Sequence, residues 1–254
     1  MKKFNFAFTL AEVLITLGII GVVVAMTLPS VVGRYKEKET ASKLKKVYST
    51  ISQAMNLAIN EYGTIDKWDL PPTLTSDKNE NGQTILDQTG QNILTERFLQ
   101  YLNGDLLKAG WDEGVVLTNM QRVPLEMIYD KGEPRSIQLH DGTILIMGQI
   151  YGNDSCARSD ITKGDLCSTI VVWFPPKNRQ RNEGINQFNF YVMKDRLIPW
   201  GVPTDQNNPF ERNCKISTNN RQSGRGCTAW VLEKENMSYL RCKDLSWYGN
   251  SKCK

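Results

Sequence analysis

Histidine is almost absent from this chain, and cysteine is absent from the first 155 of its 254 residues. His140 is the single histidine and no two cysteines are spaced as C-x-x-C, so the ligand sets of common zinc sites are missing. Gly224 and Gly226 do not connect a strand to a helix as a phosphate-binding loop requires. No catalytic constellation is recognisable. The sequence therefore predicts a protein that is not an enzyme and requires no cofactor.

Strong net charge is also missing. A net charge of +4 and an isoelectric point near 8.6 are too weak to indicate nucleic-acid binding, so no nucleic-acid partner is expected. The local basic clusters, around Lys177–Arg181 and Arg212–Arg225, are typical of solvated loops.

Charge is lacking most completely near the N-terminus. Glu12 is the one charged residue between Lys3 and Arg34, and twenty-one uncharged positions follow it to Gly33. About 20 apolar residues span a bilayer as a helix. A carboxylate at the edge of such a helix is costly unless it reaches the headgroups or finds a partner. The stretch therefore predicts a membrane span with one residue, Glu12, that needs explanation.

The residues around Glu12 form a recognisable pattern. Lys2 and Lys3 lie in a seven-residue leader that ends at Ala7, and Phe8-Thr9-Leu10-Ala11-Glu12 follows it. This pattern resembles the class III signal of type IV prepilins and type II secretion pseudopilins. The resemblance implies that a prepilin peptidase cuts between Ala7 and Phe8 and then N-methylates Phe8. Glu12 and Pro29 match the glutamate and proline of that family, whereas Ala7 stands where the family usually has glycine.

The resemblance implies a structural role in a filament, of either a type IV pilus or a type II secretion system. Glu12 lies four residues after Phe8, on the same helical face, so its carboxylate can pair with the new amine in the same or the next subunit. The expected partners are the prepilin peptidase, other pilin or pseudopilin subunits and the inner-membrane assembly platform. The expected location is the bacterial inner membrane, crossed once.

A Sec-type signal peptide is the alternative for this stretch. Val23-Val24-Ala25 offers a small-residue cleavage site after an apolar run, although Glu12 and the apolar continuation through Val32 are unusual for such a signal. In that case the protein is a secreted binding domain stabilised by disulfides. A plain single-pass tether would make it a membrane-anchored binding domain, and explains the length of the run but not the placement of Ala7, Phe8, Glu12 and Pro29.

Six cysteines indicate the compartment of the C-terminal part. Clustered cysteines without metal-like spacing favour an oxidising environment, which places this part outside the cytoplasm. The six basic residues between Arg34 and Lys46 oppose that orientation by the positive-inside rule, so we give the cysteines more weight. Pairing of sequence neighbours would close three loops, but six cysteines allow fifteen pairings. The disulfide candidates are Cys156, Cys167, Cys214, Cys227, Cys242 and Cys253.

The apolar pattern changes at Arg34 from continuous to amphipathic. Apolar residues recur at three- and four-residue steps, as in a helix with one buried face: Leu44, Val47, Tyr48, Ile51, Met55, Ala58 and Tyr62. One helix is predicted from Phe8 to about Glu61, with Gly63 as its stop. Pro29 and the glycines at 18, 21 and 33 predict a kink in its first half.

Half of a calcium-loop pattern lies in the polar stretch that follows. Asp77, Asn79, Asn81 and Gly82 fit the first half of a D-x-[DN]-x-[DN]-G loop, whose alternate oxygens hold Ca²⁺. Gln88 stands at the twelfth position instead of glutamate, so a solvated loop is the competing interpretation. A calcium site at Asp77, Asn79 and Asn81 is the one metal site that the sequence suggests.

The remaining patterns predict an irregular stretch over 64–92, a short helix over 93–102 and then strands. Asp141-Gly142 and Lys194-Asp195 are hairpin-turn candidates. The strands are predicted at 114–118, 125–129, 136–139, 143–150, 169–174, 188–193, 197–200 and 228–232.

The predicted fold class is α+β: a long N-terminal helix, membrane-spanning in its first half and amphipathic in its second, packed on an antiparallel β-sheet domain with disulfide-closed C-terminal loops. The predicted organisation is a leader (1–7), a membrane or polymerisation helix (8–33), its amphipathic continuation (34–62), an irregular linker with a short helix (63–110) and a β-rich domain (111–254).

Overall fold

The computed structural model describes residues 9–78, 80, 84–108, 112, 114–125, 135–151, 156–159, 164–216 and 220–253. The helices in these ranges are α1 (Leu10–Tyr62), α2 (Thr89–Leu99), α3 (Phe210–Asn213) and α4 (Thr228–Lys234). The strands are β1 (Leu74–Lys78), β2 (Thr84–Leu86), β3 (Gly104–Leu106), β4 (Val116–Thr118), β5 (Ser136–Leu139), β6 (Ile144–Met147), β7 (Ala157–Ser159), β8 (Gly164–Trp173), β9 (Gln180–Asn182), β10 (Gln187–Met193) and β11 (Leu197–Pro199).

The predicted fold class is confirmed: the protein is α+β, with a long apolar N-terminal helix, an antiparallel β-sheet domain and three disulfides. The chain divides into two compact units, Met1–Thr40 and Ala41–Lys254. The division falls after residue 40 and not at the predicted 33, because Ala41 is the first side chain of α1 that is buried.

The second half of α1 belongs to the larger unit and contributes one face to its core. Its buried side chains recur at helical spacing: Ala41, Leu44, Val47, Ile51, Ala54, Met55 and Ala58. The ring of Tyr48 stacks on Phe190 of β10, with centroids 5.6 Å apart. Gly63 ends the helix as predicted, with a positive φ of 78° and an N–H that donates to the carbonyl of Ile59.

The main sheet has seven antiparallel strands in the order β11-β10-β8-β6-β5-β3, with β7 on the same edge of β8 as β6. β8 is long enough to pair with both, using Gly164–Leu166 for β7 and Ile170–Trp173 for β6. The predicted turns are confirmed at Asp141-Gly142, between β5 and β6, and at Lys194-Asp195, between β10 and β11. Gly142 has a φ of 85°, which explains a glycine there.

Alternate residues of β10 pack into different hydrophobic clusters. On β10, Phe188, Phe190 and Val192 join the main core with α1 and α2. Tyr191 and Met193 lie in a smaller cluster with Leu166. Both faces of β10 are therefore covered, and all seven of its residues are buried.

Several predicted elements differ in the structure. Thr228–Leu232 was predicted as a strand but begins α4, because a short apolar run with a buried Trp230 has no period that separates strand from helix. The stretch 64–92, predicted as irregular, contains a 3₁₀ turn (Ile65–Lys67) and the antiparallel pair β1–β2. The short helix begins at Thr89, four residues before its predicted start.

The β-rich region also begins earlier than predicted, since β3 (Gly104–Leu106) pairs with β5 in the main sheet. β4 and β9 form a separate parallel pair, an exception to the antiparallel pattern. The predicted strand 125–129 falls mostly outside the described residues; Leu125 is described and is not in a strand.

Candidate functional site: the N-terminal helix and a buried polar centre

The N-terminus of α1 is capped by reciprocal hydrogen bonds between Thr9 and Glu12. The Thr9 backbone N–H and hydroxyl both donate to Oε2 of Glu12, at 2.9 and 2.8 Å. The Glu12 backbone N–H in turn lies 3.3 Å from the Thr9 hydroxyl oxygen. This is a capping box, in which a threonine before the helix and a glutamate three residues later satisfy each other's backbone donors. Glu12 therefore has a local structural role at the helix start.

The apolar run that follows presents its side chains outward. Leu10 is 77% exposed and Met26 is 76% exposed, and the large apolar side chains between them are exposed as well. The hydroxyls of the run donate back to helix carbonyls at 2.9 Å: Thr16 to Val13, Thr27 to Val23 and Ser30 to Thr27. The run thus satisfies its polar side chains internally, as a helix in hydrocarbon must.

Length and composition make α1 a helix that could cross a membrane. In its described residues the helix continues through Pro29 without a break, although proline lacks the N–H for one helical bond. A Cβ added at Gly18, Gly21 or Gly33 would have no atom within 4 Å. Apart from their own helical turns, these glycines therefore make no close contact with the residues that the structure describes.

The predicted processing residues, Ala7 and Phe8, lie outside the described residues, so the cut between them stays a prediction. Glu12 and Pro29 lie in the same helix, seventeen positions apart, and do not form one site.

The predicted calcium ligands are also only partly described. Asp77 is exposed on β1, while Asn79 and Asn81 lie outside the described residues, between β1 and β2. The carboxylate of Asp87 accepts the backbone N–H of Thr89 at 2.8 Å, close to the start of α2. Within the ranges that the structure describes, no three histidine, cysteine or acidic residues are grouped as a metal site. The calcium site stays a prediction.

The six cysteines pair in the order in which they occur: the first with the second, the third with the fourth and the fifth with the sixth. The disulfides are Cys156–Cys167, Cys214–Cys227 and Cys242–Cys253. The last one closes a loop whose Trp247 packs on Trp230 and Phe210, with centroids 5.3 and 5.8 Å away. The Trp247 indole N–H donates to the carbonyl of Gly201 at 2.8 Å. The C-terminal loop is therefore attached to the domain by an aromatic cluster as well as a disulfide.

Sequence reasoning missed a buried polar centre beside β10. The carboxylate of Glu183 is buried, accepts the side-chain amide of Asn189 at 2.8 Å and lies 3.6 Å from Nε of Arg225. Arg181, also buried, donates to Gln187 at 2.9 Å. Burial raises the pKa of the Glu183 carboxyl, and the nearby Arg225 and Arg181 oppose the shift.

This buried polar centre joins two segments that are distant in sequence. Gly224, whose φ is 104°, packs so closely that an added Cβ would lie 2.2 Å from the carbonyl oxygen of Glu183. The alternation of Gln187 and Asn189 with Phe188 and Phe190 was the available signal, but such alternation predicts a solvated face. Enclosed in this way, the centre fixes the chain between β9 and β10 against the segment before α4.

The helix and the domain together define a class: an α+β protein whose described residues include one helix long and apolar enough to cross a membrane and a disulfide-bonded β domain. Residues 30–236 match the model of a family of unknown function, DUF6613, and the chain belongs to that family. The residues before 30, which include Ala7, Phe8, Glu12 and Pro29, lie outside the matched range. No curated protein and no solved structure matches this chain.

Proposed function

We propose that this protein is a pilin-like structural subunit of a type IV pilus or type II secretion filament, processed by a prepilin peptidase before Phe8. The observation that carries the proposal is the helix start: an exposed apolar helix whose first turn holds a carboxylate, Glu12, hydrogen-bonded to Thr9, the second residue after the proposed cut. In this proposal the protein catalyses no reaction and serves as substrate for cleavage and methylation.

The capping box is compatible with assembly because a carboxylate has two oxygens. The Thr9 bonds use Oε2 of Glu12, and a carboxylate can accept from several donors at once. Glu12 already accepts the backbone N–H of Thr9. A new amine at Phe8 would be one residue before that N–H in the sequence. A charge pair at low dielectric is strongly attractive, and the same amine could come from the next subunit.

The exposed apolar face supports a role in self-association or in lipid. Large contiguous apolar surfaces on soluble proteins mark interaction or membrane surfaces. A bilayer would cover the face before assembly, and neighbouring helices would cover it in a filament. The proposed partners are the peptidase, other pilin or pseudopilin subunits and the inner-membrane platform, with the disulfide-bonded domain outside the cytoplasm.

Two matched variants test this function against a Sec-type signal. Ala7→Leu replaces the small residue before the proposed prepilin cut, and Ala25→Leu replaces the small residue of the competing site. The maturation of each full-length variant is followed by gel mobility in cells with and without a prepilin peptidase. We expect only Ala7→Leu to block a peptidase-dependent shift. A shift that Ala25→Leu blocks, and that occurs without the peptidase, would support the secreted binding domain instead.

A further inference from the structure

We propose that the first residues of α1 beyond the apolar run bind the anionic headgroups of phospholipids. These residues are Arg34, Tyr35, Lys36 and Lys38, named here the basic collar. The proposal rests on the membrane span proposed above, but concerns a different contact: the lipid headgroups on the side of the domain.

The spacing of charges along α1 places the collar at headgroup depth. The twenty-one uncharged residues between Glu12 and Arg34 would span about 31 Å at about 1.5 Å per residue. The hydrocarbon core of a bilayer is about 30 Å thick. When Glu12 lies at one interface, Arg34 therefore lies at the other.

The collar presents charge and an aromatic ring at this depth. The side chains of Arg34, Lys36 and Lys38 are exposed, and Tyr35 is 69% exposed. Two acidic residues, Glu37 and Glu39, accompany the three basic ones in residues 34–39, so the segment keeps a net positive charge. Tyrosine favours the membrane interface because its ring is apolar and its hydroxyl is polar. Basic residues next to a span are attracted to anionic lipids.

Two basic residues further along α1, Lys45 and Lys46, have acidic partners in the domain. Lys45 forms an ion pair with Glu235, and its hydrogen bond lowers the pKa of that carboxyl. Lys46 lies 3.6 Å from Asp141. Both acidic partners belong to the domain, whose contact with α1 begins at Ala41. The collar precedes Ala41, and its three basic side chains are exposed.

The collar gives the subunit a preferred lipid and a fixed depth before assembly. Its charge opposes the usual topology, in which basic flanks stay in the cytoplasm. Anionic headgroups on the domain side offset that disadvantage by neutralising the charge after insertion.

The experiment uses the full chain reconstituted into phosphatidylcholine vesicles, with spin-labelled phosphatidylglycerol or phosphatidylcholine as the probe. The immobilised fraction of each lipid is measured by electron spin resonance. The collar variant is Arg34→Gln/Lys36→Gln/Lys38→Gln. The control variant is Lys177→Gln/Lys243→Gln/Lys252→Gln, which removes the same charge from exposed positions of the domain.

We expect wild type and control to immobilise phosphatidylglycerol at least about fivefold more than phosphatidylcholine, since a single basic residue near the surface already contributes roughly that factor. The preference should fall with added salt and approach one in the collar variant. An unchanged preference in the collar variant, or an equal loss in the control, would overturn the collar alone. Absence of any immobilised lipid would overturn the membrane span as well.

Discussion

The carboxylate of Glu12 accepts two hydrogen bonds from Thr9, one from the backbone and one from the hydroxyl, at the first turn of α1. The glutamate that the proposed filament contact would use thus also caps the helix on which it lies. Capping requires a hydrogen-bond acceptor, whereas pairing with an amine requires a negative charge. The two roles can be separated by substitution.

Glu12→Gln keeps an acceptor for Thr9 and removes the charge, because glutamine also serves in a capping box. Glu12→Ala removes both. If the charge pairs with the amine of Phe8, both variants should enter filaments at least about tenfold less than wild type, since a buried charge then loses its partner. Incorporation is measured as the fraction of subunit in sheared filaments.

Thr9→Val is the matched control for this comparison, because it removes the hydroxyl cap and keeps the charge of Glu12. It should assemble nearly as well as wild type. Normal assembly of Glu12→Gln together with failure of Thr9→Val would show that Glu12 acts as a cap and not as a docking charge.

The same substitution should cost much more stability on the buried face of the second half of α1 than on its exposed face. Leu44 is fully buried, whereas Leu57 is 50% exposed. Leu44→Ala should lower the free energy of unfolding by about 2–5 kcal/mol through lost contacts and a cavity. Leu57→Ala should change it by less than about 0.5 kcal/mol. Denaturant unfolding of the full chain in detergent, followed by tryptophan fluorescence, measures both; equal losses would contradict the buried face of α1.

Glu183 should make the stability of the domain depend on pH. Burial raises the pKa of its carboxyl above the ordinary 4.5. Its stabilising contribution is therefore complete below about pH 4.5 and is lost as the pH rises through the folded-state pKa. Relative to Glu183→Gln, the wild type should lose up to about 1.4 kcal/mol per pH unit in that window.

The measurement is the free energy of unfolding of wild type and Glu183→Gln across that pH range. Glu233→Gln is the matched control, since the Glu233 side chain is 59% exposed and pairs with Lys234. A wild-type advantage that grows with pH would mean that Arg225 and Arg181 outweigh burial and keep Glu183 charged.

Much of the fold follows from periodicity and turn chemistry. The length of α1 was predictable because its apolar and then amphipathic patterns run unbroken to Gly63. β5 has its predicted bounds because Asp141-Gly142 fixes the turn that follows it. α4 was not predictable in this way, because the side chains that bury Trp230 are distant in sequence. One of them is Phe210, whose ring centroid lies 4.2 Å from that of Trp230.

The buried polar centre could not be predicted from the sequence for a related reason. Glu183, Arg181 and Asn189 are residues that normally face water, but all three are buried, and Glu183 is covered in part by Gly224 and Arg225, which are distant in sequence. No local pattern encodes that cover. The N-terminal motif, by contrast, is entirely local, and the Thr9–Glu12 pair could be recognised from four consecutive residues.

The central claim concerns how the mature chain begins, so mass spectrometry of its N-terminus is the most direct measurement. The protein is isolated from membranes of cells that contain a prepilin peptidase, and its N-terminal peptide is sequenced. The account predicts a chain that starts at Phe8 and carries one methyl group on its amine. A chain that starts at Met26, or that retains Met1, would contradict it.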